Sequence, residues 1–295
     1  MAAAVFAFED ALLKAPRHSA PGRRTVALAM EPVRLDRAGV APLRLVGAWR
    51  LRAPDPRLGG VSAVAVDGAE LIAITDSGAV LRFPKPGRAH PMVRIDLLPG
   101  SPGRARPKSG RDSEALARDP LGRGWWVAFE TRNRLRLYDG RFSRGLGSID
   151  FGRHRWPRNA GIEGIATDAA SLLLFPELGG SVVRVTDGRA AALPLAGALT
   201  RVSDAAALPG GGVLLLERQP TWFGFTSALV KLRRESGGYK KGRRYPLGLG
   251  VRDNPEALAA EPLPGGGTRL WLMTDDNFQP WMRTLLVAYD IPPSP

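Results

Sequence analysis

Residues 159–177 read NAGIEGIATDAASLLLFPE, and this stretch decides the fold. A small or acidic residue opens a short apolar run that contains Glu163, and a second apolar run closes at Glu177. The same pattern recurs along the chain, always with a polar or small opening and an acidic close. Its five copies occupy residues 59–76, 112–130, 159–177, 203–217 and 253–275.

The spacing of these copies predicts a β-propeller. From Ser62 through Glu114, Glu163 and Asp204 to Glu256, the steps are 52, 49, 41 and 52 residues. A repeat of about 40–50 residues with several short strands in each unit is typical of a propeller blade. The apolar runs are bounded by Gly, Pro or Asp, as strands usually are. We therefore predict an all-β fold, a propeller of five blades, with six blades as the alternative.

The last copy leaves its blade one strand short, because only three apolar runs follow residue 253. Residues 42–51, which precede the first copy, have the pattern of an outermost strand. Pairing them with residues 283–290 would close the ring and remove exposed sheet edges. The sequence thus predicts one propeller domain over residues 41–295, after a leader over residues 1–40.

The chain is strongly basic, with 42 Lys and Arg against 28 Asp and Glu and a net charge of +14. This charge has two alternative explanations. One is a genome whose codon usage favours arginine, and the other is binding to an anionic substrate or an acidic surface. No basic stripe is interleaved with aromatic residues that would stack on bases, so we expect no nucleic-acid partner.

The sequence does not decide in which cellular compartment the protein resides. No apolar run approaches the roughly 20 residues that span a bilayer, so we predict no transmembrane segment. The apolar start, residues 1–8, lacks a basic region and is followed by Glu9 and Asp10, so there is no clear signal peptide. A chain with no cysteine excludes disulfides and thiolate chemistry, and fits either cytoplasm or periplasm.

Matching positions of the repeat carry carboxylates. Adjacent antiparallel strands place the start of one beside the end of the other, so these acids are predicted to meet on one face. Such a cluster requires positive charge nearby. The acids are Glu114, Glu163, Asp204 and Glu256 near the starts of inner strands, and Asp76, Glu130, Glu177, Glu217 and Asp275 at the ends of the next strands.

Two sources of this positive charge are compatible with the sequence. The first is Ca²⁺, which takes six to eight oxygen ligands, the only donors this face offers. Zinc is disfavoured, since the three histidines fall outside the motifs and cysteine is absent. The second is arginine, which pairs with carboxylates and also receives anions. The candidates are Arg111, Arg158, Arg201 and Arg252, each shortly before a repeat carboxylate, and Arg218, directly after Glu217.

Three features have a structural interpretation beside the functional one. The acids are equally suited to act as hydrogen-bonding ties between blades. Residues 274–278, TDDNF, favour either a cation-binding loop or an Asx-type turn. Residues 222–225, WFGF, sit in an insertion and suggest an apolar wall of the propeller mouth.

The order of these motifs resembles the bacterial "esterase-like activity of phytase" propeller family, over roughly residues 45–290. Thr274 stands where the family pattern suggests Ser. The resemblance implies an exported propeller, periplasmic or secreted, related to calcium-dependent phosphoester hydrolysis; the cytoplasm is the alternative. The motifs that carry it are residues 59–62, 112–117, 159–163, 203–206, 217–218, 253–256, 275–278 and 283–286.

From these observations we predict a calcium-assisted hydrolase of a phosphoester or related anionic ester, acting at the propeller mouth as a monomer. The alternative is a non-catalytic propeller that binds a small anionic ligand or a partner protein. Glu130 or Glu177 would orient the water. Ca²⁺ would be held by Glu114, Glu163, Glu256, Asp275 and Asp276, and the anion by Arg201, Arg218 and Arg252.

Overall fold

The computed structural model describes residues 22–35, 40–100, 113–129, 133–152, 161–222 and 224–293. Within these ranges the regular elements are strands, which form five small sheets. No helix there is long and apolar enough to cross a bilayer. The predicted all-β propeller of five blades is confirmed.

Each of the first three blades is a four-stranded antiparallel meander. Blade one contains β4 (Val61–Asp67), β5 (Glu70–Thr75), β6 (Ala79–Pro84) and β7 (Met92–Leu97). Blade two contains β8 (Ser113–Arg118), β9 (Gly124–Phe129), β10 (Arg134–Asp139) and β11 (Gly145–Asp150). Blade three contains β12 (Ile162–Asp168), β13 (Ser171–Pro176), β14 (Val182–Thr186) and β15 (Arg189–Leu193).

The last two blades follow the same order, with one strand supplied from the start of the chain. Blade four contains β17 (Arg201–Ala207), β18 (Val213–Thr221), β19 (Gly224–Glu235) and β20 (Gly238–Pro246). Blade five contains β21 (Asn254–Pro262), β22 (Thr268–Asp275), β23 (Leu285–Ile291) and β3 (Arg44–Arg52). Strands β3 and β23 pair antiparallel, with Arg50 opposite Leu285 and Gly47 opposite Ala288.

Three short strands extend the outer edges of blades. Strand β1 (Arg24–Ala27) pairs with β7, and β2 (Ala29–Pro32) pairs with β3. Both strands lie within residues 1–40, the segment predicted from the sequence to be a leader. Strand β16 (Leu195–Ala196) pairs in parallel with β20. The outer edge of three of the five sheets is therefore covered by an additional strand, which limits edge-to-edge pairing with other chains.

The hydrophobic core of the described residues is divided into five clusters, and each fills the space between two neighbouring blades. Trp271 and Met273 of blade five, for example, share a cluster with Val61 and Leu71 of blade one. The other clusters join blades one and two, two and three, three and four, and four and five. Since the first and last blades share a cluster, the ring is closed by packing as well as by strand pairing.

Candidate functional site

The inner strands β4, β8, β12, β17 and β21 all begin on one face of the propeller, where the second strand of each blade ends. We call this the mouth face, and the opposite face, where the inner strands end, the far face. The mouth face also carries the hairpin between β18 and β19 and the connections between successive blades.

Every inner strand has a β-bulge at the same place, close to its start on the mouth face. In each case the register with the second strand shifts by one residue, so the inner strand contains one extra residue at that point. Bulges of this kind re-aim side chains and are frequent beside active sites. The bulged residues are Ser62, Glu114, Glu163, Ser203 and Glu256.

The bulges correct the predicted register in blade four, where Ser203 and not Asp204 is equivalent to Glu163. Asp204 is the next residue, and its side chain is almost fully buried at the contact with blade five. Its carboxylate accepts hydrogen bonds of 2.7 Å from the backbone N–H groups of Ala205 and Leu258. Asp204 is therefore a tie between blades four and five.

The same one-residue shift changes the acid at the end of β18. In blades one and three, the N–H groups of Asp76 and Glu177 donate to Gly60 and Gly161. The equivalent residue of blade four is Arg218, not Glu217 as predicted, because Arg218 is opposite Arg201 in the strand pairing. Blade four thus places a cation where its neighbours have an acid.

Glu217 is instead buried against the connection from blade three. Its carboxylate accepts hydrogen bonds from Lys241 Nζ at 3.0 Å and from the N–H of Thr200 at 3.1 Å. Arg244 Nε lies 3.6 Å from the same carboxylate. Glu217 therefore stabilises the body of blade four.

Arg218 links blades four and five at the mouth. Its Nη1 donates a 2.7 Å hydrogen bond to Asn254 Oδ1 and a second hydrogen bond to Glu256 Oε1. Asn254 Nδ2 also donates to Glu256 Oε1, at 2.6 Å. The guanidinium lies over the ring of Phe225, 5.0 Å from its centre, in a cation–π contact.

Asp275 is buried next to this network, because Asn254 is its partner across the strand pair. Burial raises the pKa of Asp275 well above its usual value, and the negative charges of Glu256, Asp76 and Asp276 raise it further. The N–H of Asn277 donates to Asp275 Oδ1 at 2.7 Å and opposes this rise. Burial and neighbouring acids thus favour the protonated form of Asp275.

Asp276 ties blade five to blade one. Its Oδ1 accepts hydrogen bonds of 3.0 Å from the N–H groups of Gly60 and Phe278, and its Oδ2 accepts one of 2.9 Å from Thr284. The bonds from Asn277 to Asp275 and from Phe278 to Asp276 are those of Asx turns. Of the two interpretations of residues 274–278, the Asx turn is present.

The remaining predicted site residues lie elsewhere around the mouth. Arg201 Nη1 is 3.3 Å from Glu177 Oε1, which joins the start of blade four to the end of β13. Glu114 and Glu163 are half-buried at their bulges. Glu130, Arg111 and Arg158 lie outside the described residues.

The predicted calcium ligands can be compared with this arrangement. Asp276 uses both of its oxygens within the fold, and Glu256 is bound to Arg218 and Asn254. Over the described part of the chain, no three Asp, Glu or His side chains are arranged to hold a metal ion. Calcium binding stays a prediction, and it would require these side chains to change partners.

Arg252, the third predicted anion ligand, lies at a cleft between blades four and five. The cleft has a volume of about 370 Å³ and is lined by Gly224, Phe225, Val251, Arg252, Trp281 and Met282. The insertion predicted to form an apolar wall is the tip of the β18–β19 hairpin, and its Phe225 forms part of the lining. Phe223 lies outside the described residues.

Comparison with known protein families supports the resemblance that the motifs indicated. The sequence pattern of the Phytase-like family, described as esterase-like activity of phytase, matches residues 56–278. The chain belongs to this family. The match spans blade one to the Asx turns of blade five and so includes the inner strands of all five blades. No curated protein is significantly similar to this Phytase-like chain.

Solved structures resemble this Phytase-like chain only in fold. Hydrazine synthase of Kuenenia stuttgartiensis has 13% sequence identity and a TM-score of 0.42, over 80% of this chain and 66% of that one. Glutaminyl cyclase of Myxococcus xanthus has 14% identity and a TM-score of 0.42, over 80% of this chain and 92% of that one.

One member of the site was not predicted from the sequence, and another was predicted for a different contact. Asn254 bridges Arg218 and Glu256, and Phe225 lies against the Arg218 guanidinium. Asn254 could have been found from its place in the repeat, two residues before the bulged acid. Phe225 was predicted only as part of an apolar wall; its contact with Arg218 has no signal in the sequence, because it depends on how far the β18–β19 hairpin extends.

Proposed function

We propose that the protein is a hydrolase of a phosphoester or related anionic ester and that it acts at the propeller mouth. The observation that carries this proposal is the network of Arg218, Asn254 and Glu256 beside the buried carboxyl of Asp275. It brings a cation that suits an anionic substrate next to a carboxyl whose pKa is raised by burial. Membership of the Phytase-like family agrees with a hydrolase.

In the proposed reaction, Arg201, Arg218 and Arg252 hold the anionic group and orient it in the mouth. The oxygen of a water molecule forms a bond to phosphorus, and its proton passes to the carboxylate of Glu177 or Glu130. The bond between phosphorus and the ester oxygen breaks, and the departing oxygen takes the proton of Asp275. The second half-step needs a carboxyl that is protonated near neutral pH, which burial of Asp275 favours.

Calcium is not needed for any of these steps. If Ca²⁺ binds, it would polarise the phosphoryl oxygens as a Lewis acid. A cation beside Asp275 would also favour loss of its proton, since the two compete for the same negative charge. Metal content and thermal stability, measured with chelator and after Ca²⁺ is restored, test the predicted ion separately from the reaction.

The proposed function is tested with a panel of phosphomonoesters and carboxylic esters, assayed with chelator and with Ca²⁺. We expect turnover by the native protein and a loss of about 100-fold or more in Asp275→Asn, since a general acid contributes at least this much. Arg218→Gln should lower kcat/KM for anionic esters. Glu235→Gln, an exposed acid at the far face, is the matched control. Absence of turnover on the whole panel would reject the hydrolase.

The alternative, a non-catalytic propeller that binds an anionic ligand or a partner protein, is favoured by one observation. Trp222 and Trp281 are 90% and 56% exposed beside the mouth. Ligand binding without turnover would support this alternative. The predicted periplasmic or secreted location and the monomeric state also remain proposals, to be tested by cell fractionation and by light scattering.

A further inference from the structure

The cleft between blades four and five has a fixed geometry. The hairpin of β18 and β19 is held against the connection between β20 and β21 by a 2.7 Å hydrogen bond from the N–H of Phe225 to the carbonyl of Val251. Gly224 has a φ of +138°, and a Cβ there would lie 1.8 Å from the same carbonyl oxygen. Only glycine permits this approach, so the cleft walls are in direct backbone contact.

The lining of the cleft is mainly aromatic and apolar. Phe225, Val251, Trp281 and Met282 form most of it, and its volume of about 370 Å³ is within the range of small-molecule sites. Val251 is 48% exposed and, like Trp281 and Trp222, lies at the mouth. Large apolar side chains grouped on loops of one face indicate a contact surface for an apolar group.

The cleft also has a cation that the described fold does not use. Arg252 is exposed and makes no ion pair or side-chain hydrogen bond with any residue in the ranges that the structure describes. Arg283, the other arginine of this region, is by contrast bound to Asp253 at 2.7 Å. A guanidinium that no described residue binds, at the edge of an aromatic cleft, suits a ligand that has both a flat apolar part and a negative group.

Phe225 is shared between the cleft and the reaction network. Phe225 lines the cleft, and the guanidinium of Arg218, which binds Glu256 and Asn254, lies over its ring. A ligand in the cleft is therefore one side chain away from the mouth network. This continuity distinguishes the cleft from an isolated surface groove.

We propose that the cleft binds the aromatic portion of an anionic ester, with the negative group directed to Arg252 and Arg218. The substrates would thus be aryl esters of phosphoric or a related acid, rather than esters of small polar alcohols. This assignment rests on the proposed function for its reaction, but the binding step stands without it.

Binding is measured with two phosphonates that a hydrolase does not cleave, 1-naphthylmethylphosphonate and methylphosphonate, by calorimetry and by quenching of tryptophan fluorescence. We expect the naphthyl compound to bind at least tenfold more tightly, since stacking and apolar burial each add affinity. Trp281→Ala should remove most of this difference, and Arg252→Gln should weaken the naphthyl compound severalfold. Leu121→Ala, an exposed residue of the far face, should change neither affinity.

Equal affinity for the two phosphonates, or a preference that Trp281→Ala leaves intact, would overturn the assignment. A variant that fails to fold is recognised by its melting curve, and Val251→Ala, at another residue of the cleft lining, then replaces it. Turnover of 1-naphthyl phosphate is assayed in parallel. Tight naphthyl phosphonate binding without turnover would retain the cleft and reject the hydrolase, so the two failures are distinguishable.

Discussion

On the far face, carboxylates are surrounded by arginine, whereas on the mouth face two carboxylates are buried beside other acids. Arg82 and Arg118 hold the pKa of Asp67 below its usual value despite its partial burial, and Arg269 does the same for Asp290. At the mouth, burial and the charge of Glu256 raise the pKa of both Asp204 and Asp275. The pKa of the same residue type is thus lowered by arginine on one face and raised by burial and a neighbouring acid on the other.

The difference in pKa between the two faces follows from where each acid lies in its blade and which charged side chains surround it. Far-face acids lie at strand ends, where arginines on neighbouring strands or turns can approach from solvent, as Arg123 does for Asp119. At the mouth, where the inner strands converge, Asp275 is surrounded by Glu256, Asp76 and Asp276. Blade four supplies two arginines to this face: Arg201 lies 3.3 Å from Glu177, and Arg218 limits the repulsion around Glu256.

The largest expected effect is at the tie between blades four and five. Asp204→Ala leaves two buried N–H groups without acceptors, so we expect a loss of about 3 kcal/mol in unfolding free energy near pH 5. Because the pKa of Asp204 is raised in the folded state, its contribution should decrease as pH rises from 3.8 through the folded pKa. Urea unfolding at about pH 5 and pH 8 measures both. A difference that grows with pH would contradict the assignment.

A far-face acid should show the opposite pH dependence. Burial alone would raise the pKa of Asp119, but hydrogen bonds from Arg123 and Trp126 lower it from 3.8 to about 2. Asp119→Ala should therefore lose about 2 kcal/mol above pH 4, and the loss should disappear as pH falls towards 2. Acid unfolding curves test this, with Leu121→Ala in the same turn as control. A loss that persists at pH 2 would show that charge is not its cause.

A smaller effect is expected when one mouth charge is removed. Glu256→Gln keeps the side-chain shape but takes away a negative charge that raises the pKa of Asp275 and Asp204. We expect both pKa values to decrease, with less than about 1 kcal/mol change in stability, since the ion pair with Arg218 is partly exposed. Carboxyl ¹³C NMR titration detects the change, with Glu235→Gln as control. Unaltered titration of both residues would refute the coupling.

The smallest effect is expected at an exposed ion pair of the far face. Lys240 lies 3.6 Å from Glu235, and both side chains are at least half exposed. Lys240→Ala should change the unfolding free energy by no more than about 0.5 kcal/mol. If thermal unfolding instead shows a loss above about 1 kcal/mol in unfolding free energy, exposed ion pairs of the far face contribute more to stability than we expect.

The blade plan could be predicted from the sequence because it depends on local signals. Alternating apolar runs, turn residues and a regular spacing are sufficient to place the five inner strands. Strands β1 and β2 could not be predicted, since each has four residues and forms only because an outer edge is available for pairing.

The site was predicted less completely, and the reason is a single residue. The residue types favour Asp204 as the equivalent of Glu163, because both are acidic, whereas the strand pairing makes Ser203 the equivalent bulged residue. The same shift concealed that Arg218 occupies an acidic position of the repeat. Register is set by the pairing of two strands, so it could not be predicted from the residue pattern of one strand alone.

The pairing of β3 with β23 has a consequence for synthesis on the ribosome. Roughly 230 residues separate Arg52 from Leu285, so at about 5–20 residues per second β3 waits roughly 10–50 s for its partner. During this interval the edge of β3 that β23 later covers is open to other nascent chains. The strand made first in blade five is thus the one whose final position is decided last.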